Sequence, residues 1–405
     1  MEGGLDQTVE RCASMLLLED LNQIKAGRKL LEAVRHSPDL SNDDFSRVAQ
    51  EVAAFQGGAV MSRFLSFVTP ASVSRLYLPG ADSQLEGLKR FLHATPALCH
   101  LTGSKIVVDR FLRDDTGTIQ KVRAENVHIQ LMNQVTQVVD VSERMKSSMF
   151  NPLEIMTFLA SLECLSNFAR ASKTFRDVMK EPTEQRKTFE QFSDLRSSKN
   201  LAKMTAGSSL RLRLGLACLA ASFAFAEDSQ LWAIDSGLLK LLAAIYEASP
   251  LRELCKRNQR GGSPVYRCNK ILYRLLTLEA TTEKARAHNA LEGFRPHRRK
   301  MNAAEPELAL WRDYFGPRLQ GTRVVEKEEL SELQSAENWK HAEEVYSAMF
   351  QTPVVCSWKL CAAGREPVLG KGFSMCARCH VARYCSKEHQ KSHWPSHKVH
   401  CRKMP

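Results

Sequence analysis

The last 50 residues of this 405-residue chain hold six of its twelve cysteines and five of its twelve histidines. Thiolates and imidazoles are ligands that Zn²⁺ binds readily, four at a time in a tetrahedron. Ligands separated by two residues share a tight turn, and ligands at i and i+4 share one face of a helix. The candidate ligands form four spaced pairs, which are Cys356-x4-Cys361, Cys376-x2-Cys379, Cys385-x3-His389 and His397-x3-Cys401. Eight ligands in four pairs predict two zinc sites.

The cysteine content also bears on the compartment in which the protein works. The first ten residues contain three acidic side chains and no basic segment followed by an apolar core, so they do not predict a secretory or transit signal. The longest apolar run, residues 214–226, has 13 residues, whereas a membrane-spanning helix needs about 20. We therefore expect no membrane segment and a location in the cytoplasm, the nucleus or both, where disulfides are rare and clustered cysteines bind metal.

Positive charge is concentrated in the same C-terminal region. The formal net charge of the chain is +12, and residues 356–405 supply ten basic side chains against two acidic ones, a net charge of +8. Thiolates bound to zinc would cancel part of this charge. The basic tail therefore does not by itself predict nucleic-acid binding, and we expect proteins rather than nucleic acid as partners.

The rest of the chain has the composition of a helical protein. Leu, Ala, Lys, Arg, Glu and Gln are abundant, while Gly and Pro number only 20 and 15, so the fold class is mostly α. Leu162-Glu-Cys-Leu165 is followed 54 residues later by the similar Leu216-Ala-Cys-Leu219. The second copy continues through a short turn at residues 235–237 into a Leu-rich helix, which resembles the lead into the third helix of an armadillo repeat. Such units stack into a solenoid. An armadillo-like α-solenoid and a generic all-α fold stay open as alternatives.

Changes in composition divide the chain into four predicted regions. The helical periodicity is interrupted near residue 106. There Ile106, Val107 and Val108 precede a polar, Gly-containing segment at 114–117, which predicts a β-hairpin near 106–123. The regions are an N-terminal helical region at 1–150, an armadillo-like helical region at 151–290, a linker with helices at 291–350 and a small zinc domain at 356–401.

The run from Cys376 to Cys401 closely resembles a MYND-type zinc finger. The resemblance rests on the Tyr384-Cys385-Ser386 step, Gln390, Trp394 and the closing His397-x3-Cys401. It covers about the last 46 residues. The fold that it implies is a small cross-brace domain with two structural zinc ions, which has too few apolar residues to fold without metal.

The same resemblance implies how the ligands are shared between the two metals. In its cross-brace pattern the first zinc is bound by Cys356, Cys361, Cys385 and His389, and the second by Cys376, Cys379, His397 and Cys401. This chain departs from the family in having His389 where cysteine is usual and four residues, not two, within the first pair. His393 stays open as an alternative to His389 as the ligand that completes the first site.

The resemblance further implies a role in protein recognition, because MYND fingers bind short proline-containing peptides. Gln390 and Trp394 stand where the family's peptide groove is lined, although Trp394 could instead form the core of the domain. Helical bodies with a C-terminal MYND finger are similar to dynein-arm assembly factors and to fungal ubiquitin-ligase adaptors. We therefore expect a non-enzymatic adaptor that uses its finger and its helical body.

Two other functions are alternatives to the adaptor. Some MYND proteins are protein-lysine methyltransferases, but this sequence has no Asn-His-Ser-Cys-like cofactor motif, nor a Walker loop, a His-Glu-x-x-His or a Gly-x-Ser-x-Gly motif. The basic tail instead suggests a DNA-associated transcriptional regulator, but it lacks a helix with the base-reading positions of a major-groove finger.

Overall fold

The computed structural model is mostly helical and divides the chain into two compact units. One unit combines residues 1–134 with 350–405, and the other contains residues 135–349. The residues that the structure describes are 4–18, 20–37, 42–67, 94–113, 118–144, 152–181, 189, 192, 205–251, 263–306, 308–325, 355–358, 361 and 373–402. This division differs from the four predicted regions, because the zinc domain and the N-terminal helices form one unit.

The first unit contains helices from the N-terminal region and a small α/β segment near the C-terminus. The N-terminal helices are α1 (Gly4–Leu17), α2 (Leu21–His36), α3 (Asn42–Ala54), α4 (Ala59–Phe67), α5 (94–102), α6 (Lys105–Leu112) and α7 (Thr118–Arg144), within which the division between the units falls. A 3₁₀ turn, Phe55–Gly57, follows α3 and ends in Gly58, whose φ of 91° suits glycine.

The β-hairpin predicted near 106–123 is absent from the described residues, and this part of the prediction was wrong. Ile106, Val107 and Val108 begin α6, in which they are buried together with Phe111 and Leu112. Val107 and Val108 lie three to five residues before Phe111 and Leu112, so these four side chains share one helical face, and burial of that face overrides the strand preference of the β-branched residues. Residues 118–123, which were to form the second strand, belong to α7.

The second unit is built entirely of helices among its described residues. Its helices up to residue 287 are α8 (Pro152–Ala171), α9 (Lys173–Lys180), α10 (Ala206–Ala224), α11 (Gln230–Asp235), α12 (Leu238–Ala248), α13 (Pro264–Thr277) and α14 (Glu279–Ala287). Short helical segments follow at α15 (Ala290–Phe294), Arg295–His297, α16 (Arg298–Ala304), Trp311–Phe315 and α17 (Gly316–Gln320). The predicted linker and helices at 291–350 are therefore helical from 291 to 304 and from 310 to 320, and residues 326–350 lie outside the described part.

The two similar segments of the sequence lie on helices that pack against each other. Leu162 is on α8 and Leu216 is on α10, and α10 also packs on α12 and α13. Between α8 and α10, the Ser222 hydroxyl donates to the Ser166 carbonyl at 3.0 Å. The helical prediction for this region is confirmed, whereas the armadillo-like solenoid is not. None of the helices in the described part is long and apolar enough to cross a membrane.

Candidate metal centre

The C-terminal cysteines and histidines are positioned by a short hairpin and one helix. The strands β1 (Ser374–Met375) and β2 (Arg383–Tyr384) pair antiparallel, with Ser374 opposite Tyr384. The turn between them carries Cys376 and Cys379, and it is closed by hydrogen bonds from the Cys376 amide to the Ala382 carbonyl and from the His380 amide to the Cys376 carbonyl. A turn of this kind directs two side chains to one side, which suits a pair of metal ligands.

The helix α18 (Lys387–His400) carries a ligand pair at each end. Cys385 and His389 lie at its N-terminus, where the side chain of the capping residue Ser386 accepts from the His389 amide at 3.2 Å. His397 lies in its last turn, and Cys401 is the C-cap, whose amide donates to the His397 carbonyl. Eight residues of helix place the two histidines about 12 Å apart along the axis. The two pairs therefore belong to separate sites.

The first cluster contains Cys356, Cys361, Cys385 and His389, whose ligand atoms all lie within 4.8 Å of one another. The Cys361 and Cys385 sulfurs are 3.5 Å apart, and Nδ1 of His389 lies 3.7 Å from Cys356 Sγ and 2.8 Å from Cys385 Sγ. The indole of Trp358 covers the His389 ring, with 4.3 Å between the ring centroids.

The second cluster contains Cys376, Cys379, His397 and Cys401, and it is buried throughout. The Cys376 and Cys401 sulfurs are 3.8 Å apart, and Nε2 of His397 lies 3.6 Å from Cys379 Sγ. Ligands about 2.3 Å from a tetrahedral zinc stand about 3.5–4 Å from one another, so the donor types and most of the distances in both clusters fit zinc.

The groups in the second cluster have shifted proton affinities. Hydrogen bonding, first with Cys379 and then with His397, lowers the pKa of the Cys376 thiol to about 3. Burial raises the pKa of Cys401 to about 11, and the hydrogen bond to Cys376 raises the pKa of Cys379. Burial lowers the pKa of His397, but hydrogen bonds to Cys376 and Glu51 outweigh it and raise the pKa to about 9. Because zinc binds deprotonated ligands, its binding would displace protons from this cluster.

The other three residues singled out in the sequence, His393, Gln390 and Trp394, lie outside the two cysteine clusters. His393 is buried but belongs to neither cysteine cluster, and its Nδ1 lies 3.1 Å from the Tyr384 hydroxyl. His389 therefore occupies the place in the first cluster for which His393 was the alternative. Gln390 is half-buried, and Trp394, one turn further along α18, is 38% exposed. Its exposure places Trp394 at the surface, outside the core of the domain, which is formed around Val381, Ala382 and Tyr384.

Sequence reasoning missed the residues of the N-terminal helices that contact the clusters. Arg47 of α3 donates from Nε to the Cys356 carbonyl at 3.1 Å, and Oε2 of Glu51 lies 3.3 Å from Nδ1 of His397. Ala54 and Ile106 share one buried cluster with the ligand cysteines. No spacing could have revealed these contacts, since they join positions at least 250 residues apart.

Comparison with known families agrees with this geometry for the C-terminal segment. Residues 359–401 match the family model of the MYND finger. The match contains seven of the eight cluster residues and begins three residues after Cys356, which is assigned to the first cluster by its position in the structure. No solved structure is significantly similar to the chain. The MYND finger is a zinc-binding module for protein–protein interaction, and residues 359–401 of this chain are a member of that family.

Proposed function

We propose that this protein is a non-enzymatic adaptor that recognises partner proteins through its MYND finger and its helical body. The partners present short proline-containing segments to the finger. We place its work in the cytoplasm, the nucleus or both. In this proposal both zinc ions are structural, because four protein ligands fill each tetrahedron and leave no position for a reacting water.

The observation that carries the proposal is the exposed indole of Trp394 on α18. This helix is anchored at both ends by cluster residues, so Trp394 is held on a rigid support. Gln390 lies one turn before it on the same helical face, and an amide beside an indole suits a peptide backbone that carries a proline ring. An aromatic residue held rigid before binding loses little conformational entropy when a partner docks.

Replacing Trp394 with alanine is expected to weaken partner binding while both zinc ions are retained. An aromatic residue at the centre of an interface contributes about 2 kcal/mol or more, which corresponds to roughly thirtyfold in Kd. Tagged full-length wild type and Trp394→Ala should be compared by affinity capture from cell extract, with the bound proteins quantified by mass spectrometry. Zinc should be counted in the same preparations by elemental analysis.

The matched control for this experiment is Val399→Ala. Val399 is an apolar residue of the same helix, 58% exposed and turned well away from Trp394 around the axis. It should recover the wild-type set of proteins. Equal recovery by all three proteins would refute the role of Trp394, and loss of zinc from Trp394→Ala would show a structural role instead. The full chain is used because deleting the residues after Phe350 would uncover Ala54 and Ile106 in the first unit.

A further inference from the structure

The imidazole of His397 uses its two nitrogens differently. Nε2 lies 3.6 Å from the sulfur of Cys379, within the second cluster, whereas Nδ1 lies 3.3 Å from Oε2 of Glu51. A histidine that binds zinc through Nε2 carries its proton on Nδ1, and that proton needs an acceptor when the ring is buried. The His397 ring is 3% exposed, and the carboxylate of Glu51 is the acceptor in place.

The carboxylate of Glu51 is itself largely buried. Glu51 lies on α3, with 18% of its side chain exposed, and its Oε1 is buried with no hydrogen-bond partner among the described residues. A buried carboxylate without compensation is costly. A proton on Nδ1 of His397 would compensate this carboxylate through Oε2, which lies 3.3 Å from that nitrogen.

One face of α3 and of the 3₁₀ turn after it contacts the finger at three points, which are spaced four residues apart. Arg47 donates to the carbonyl of Cys356, a ligand of the first cluster. Glu51 contacts His397, a ligand of the second cluster, and the ring of Phe55 stacks on His400 with 4.7 Å between centroids. The face formed by Arg47, Glu51 and Phe55 therefore contacts both metal clusters.

From these contacts we infer that Glu51 is an outer-sphere partner of the second zinc site, so that α3 helps to hold the metal. The carboxylate fixes the orientation and tautomer of His397 and increases the basicity of the nitrogen that binds zinc. Glu51 acts through His397 and is a positioning residue. This inference goes beyond the adaptor function and does not depend on which partners bind.

The alternative to the outer-sphere role is a third metal ion bound directly by Glu51, and the experiment below distinguishes the two. The ligand atoms of Glu51, His393 and His397 also lie within 4.8 Å of one another, which would suit a third metal ion. However, Nδ1 of His393 already lies 3.1 Å from the hydroxyl of Tyr384. His397 would also have to bind two metals at once, so the outer-sphere role is favoured.

The test measures zinc affinity in the full-length zinc-loaded protein. The variants are Glu51→Ala, which removes the acceptor, and Glu51→Gln, which keeps the size and an acceptor oxygen but loses the charge. The matched control is Glu125→Gln, at an exposed glutamate of α7. Zinc transfer to a chromogenic chelator gives the affinity of each site, and elemental analysis gives the number of ions. Circular dichroism checks that the helices are intact.

We expect two zinc ions in every variant at saturation, with one site weakened about 10–100-fold in Glu51→Ala, less in Glu51→Gln and not at all in the control. In histidine-labelled wild type, NMR should show a slowly exchanging Nδ1 proton on His397 that exchanges faster in Glu51→Ala. Unchanged affinity in both Glu51 variants would overturn the inference. So would a third zinc ion that disappears in Glu51→Ala, since Glu51 would then be a direct ligand. If Glu51→Ala fails to fold, the zinc affinity of Glu51→Gln alone decides whether the inference holds.

Discussion

Cys379→Ser is expected to lower the zinc content from two ions to one and to unfold the second half of the finger. Cys379 is 1% exposed and contributes one of four ligands to the second cluster. Apparent zinc-binding free energies in finger peptides are about 10–16 kcal/mol at neutral pH, and a small domain without that contribution does not fold. Elemental analysis and amide hydrogen exchange measure the two effects.

The effect of Cys379→Ser should extend into the N-terminal helices. Ala54 and Ile106 are buried in the same cluster as the ligand cysteines, so amides of α3 and α6 should lose protection together with those of α18. Cys164→Ala is the matched control, because Cys164 is a fully buried thiol of the second unit. It should retain both zinc ions. Full protection of α3 in a Cys379→Ser protein that has lost a zinc would contradict the shared core.

Arg318→Met is expected to destabilise the second unit by about 3 kcal/mol. The side chain of Arg318 is fully buried, yet all three of its nitrogens donate hydrogen bonds. Nε donates to the Leu276 carbonyl, Nη1 to the Arg323 carbonyl, and Nη2 to both Glu279 and Thr282, each at 2.9 Å. The guanidinium thus joins α17 to the end of α13 and to α14, and a thioether fills the space without replacing any donor.

Urea denaturation, followed by hydrogen exchange of amides in α13 and α14, measures this loss. Arg318→Lys should recover little stability, because an ammonium group cannot present donors in the planar fork that these acceptors require. The matched control is Arg312→Met, because the side chain of Arg312 is 79% exposed and pairs with Asp313 at the surface. It should leave the unfolding midpoint unchanged. An unchanged midpoint in Arg318→Met would mean that water satisfies the freed carbonyls.

The metal ligands could be predicted from the sequence because their geometry is local. The pairs Cys376/Cys379, Cys385/His389 and His397/Cys401 each lie within one turn or one helical face, so their spacing alone places them together. Trp394 could be placed on the same helix, but its exposure depends on which face of that helix the hairpin covers. That face is determined by tertiary packing, which spacing does not encode.

The other contributions to the site could not be predicted, for two physical reasons. Glu51 lies in an ordinary amphipathic helix, and its partner His397 is 346 residues further along the chain. The hairpin prediction at Ile106 failed because β-branched residues favour strands only weakly, and burial against neighbouring helices decided the conformation of α6. Arg318 follows Gly316-Pro317, a context that gives no sign of a buried cation.

The first unit joins residues 1–134 to residues 350–405, and this arrangement has a consequence for biosynthesis. At about 5–20 residues per second, a ribosome takes roughly 15–50 seconds to proceed from residue 134 to residue 401. During that interval the N-terminal helices lack the finger residues that cover Ala54 and Ile106. The second unit, which is continuous in sequence, can fold during the same interval. The nascent N-terminal helices are therefore expected to be clients of chaperones until the last zinc ligand has been synthesised.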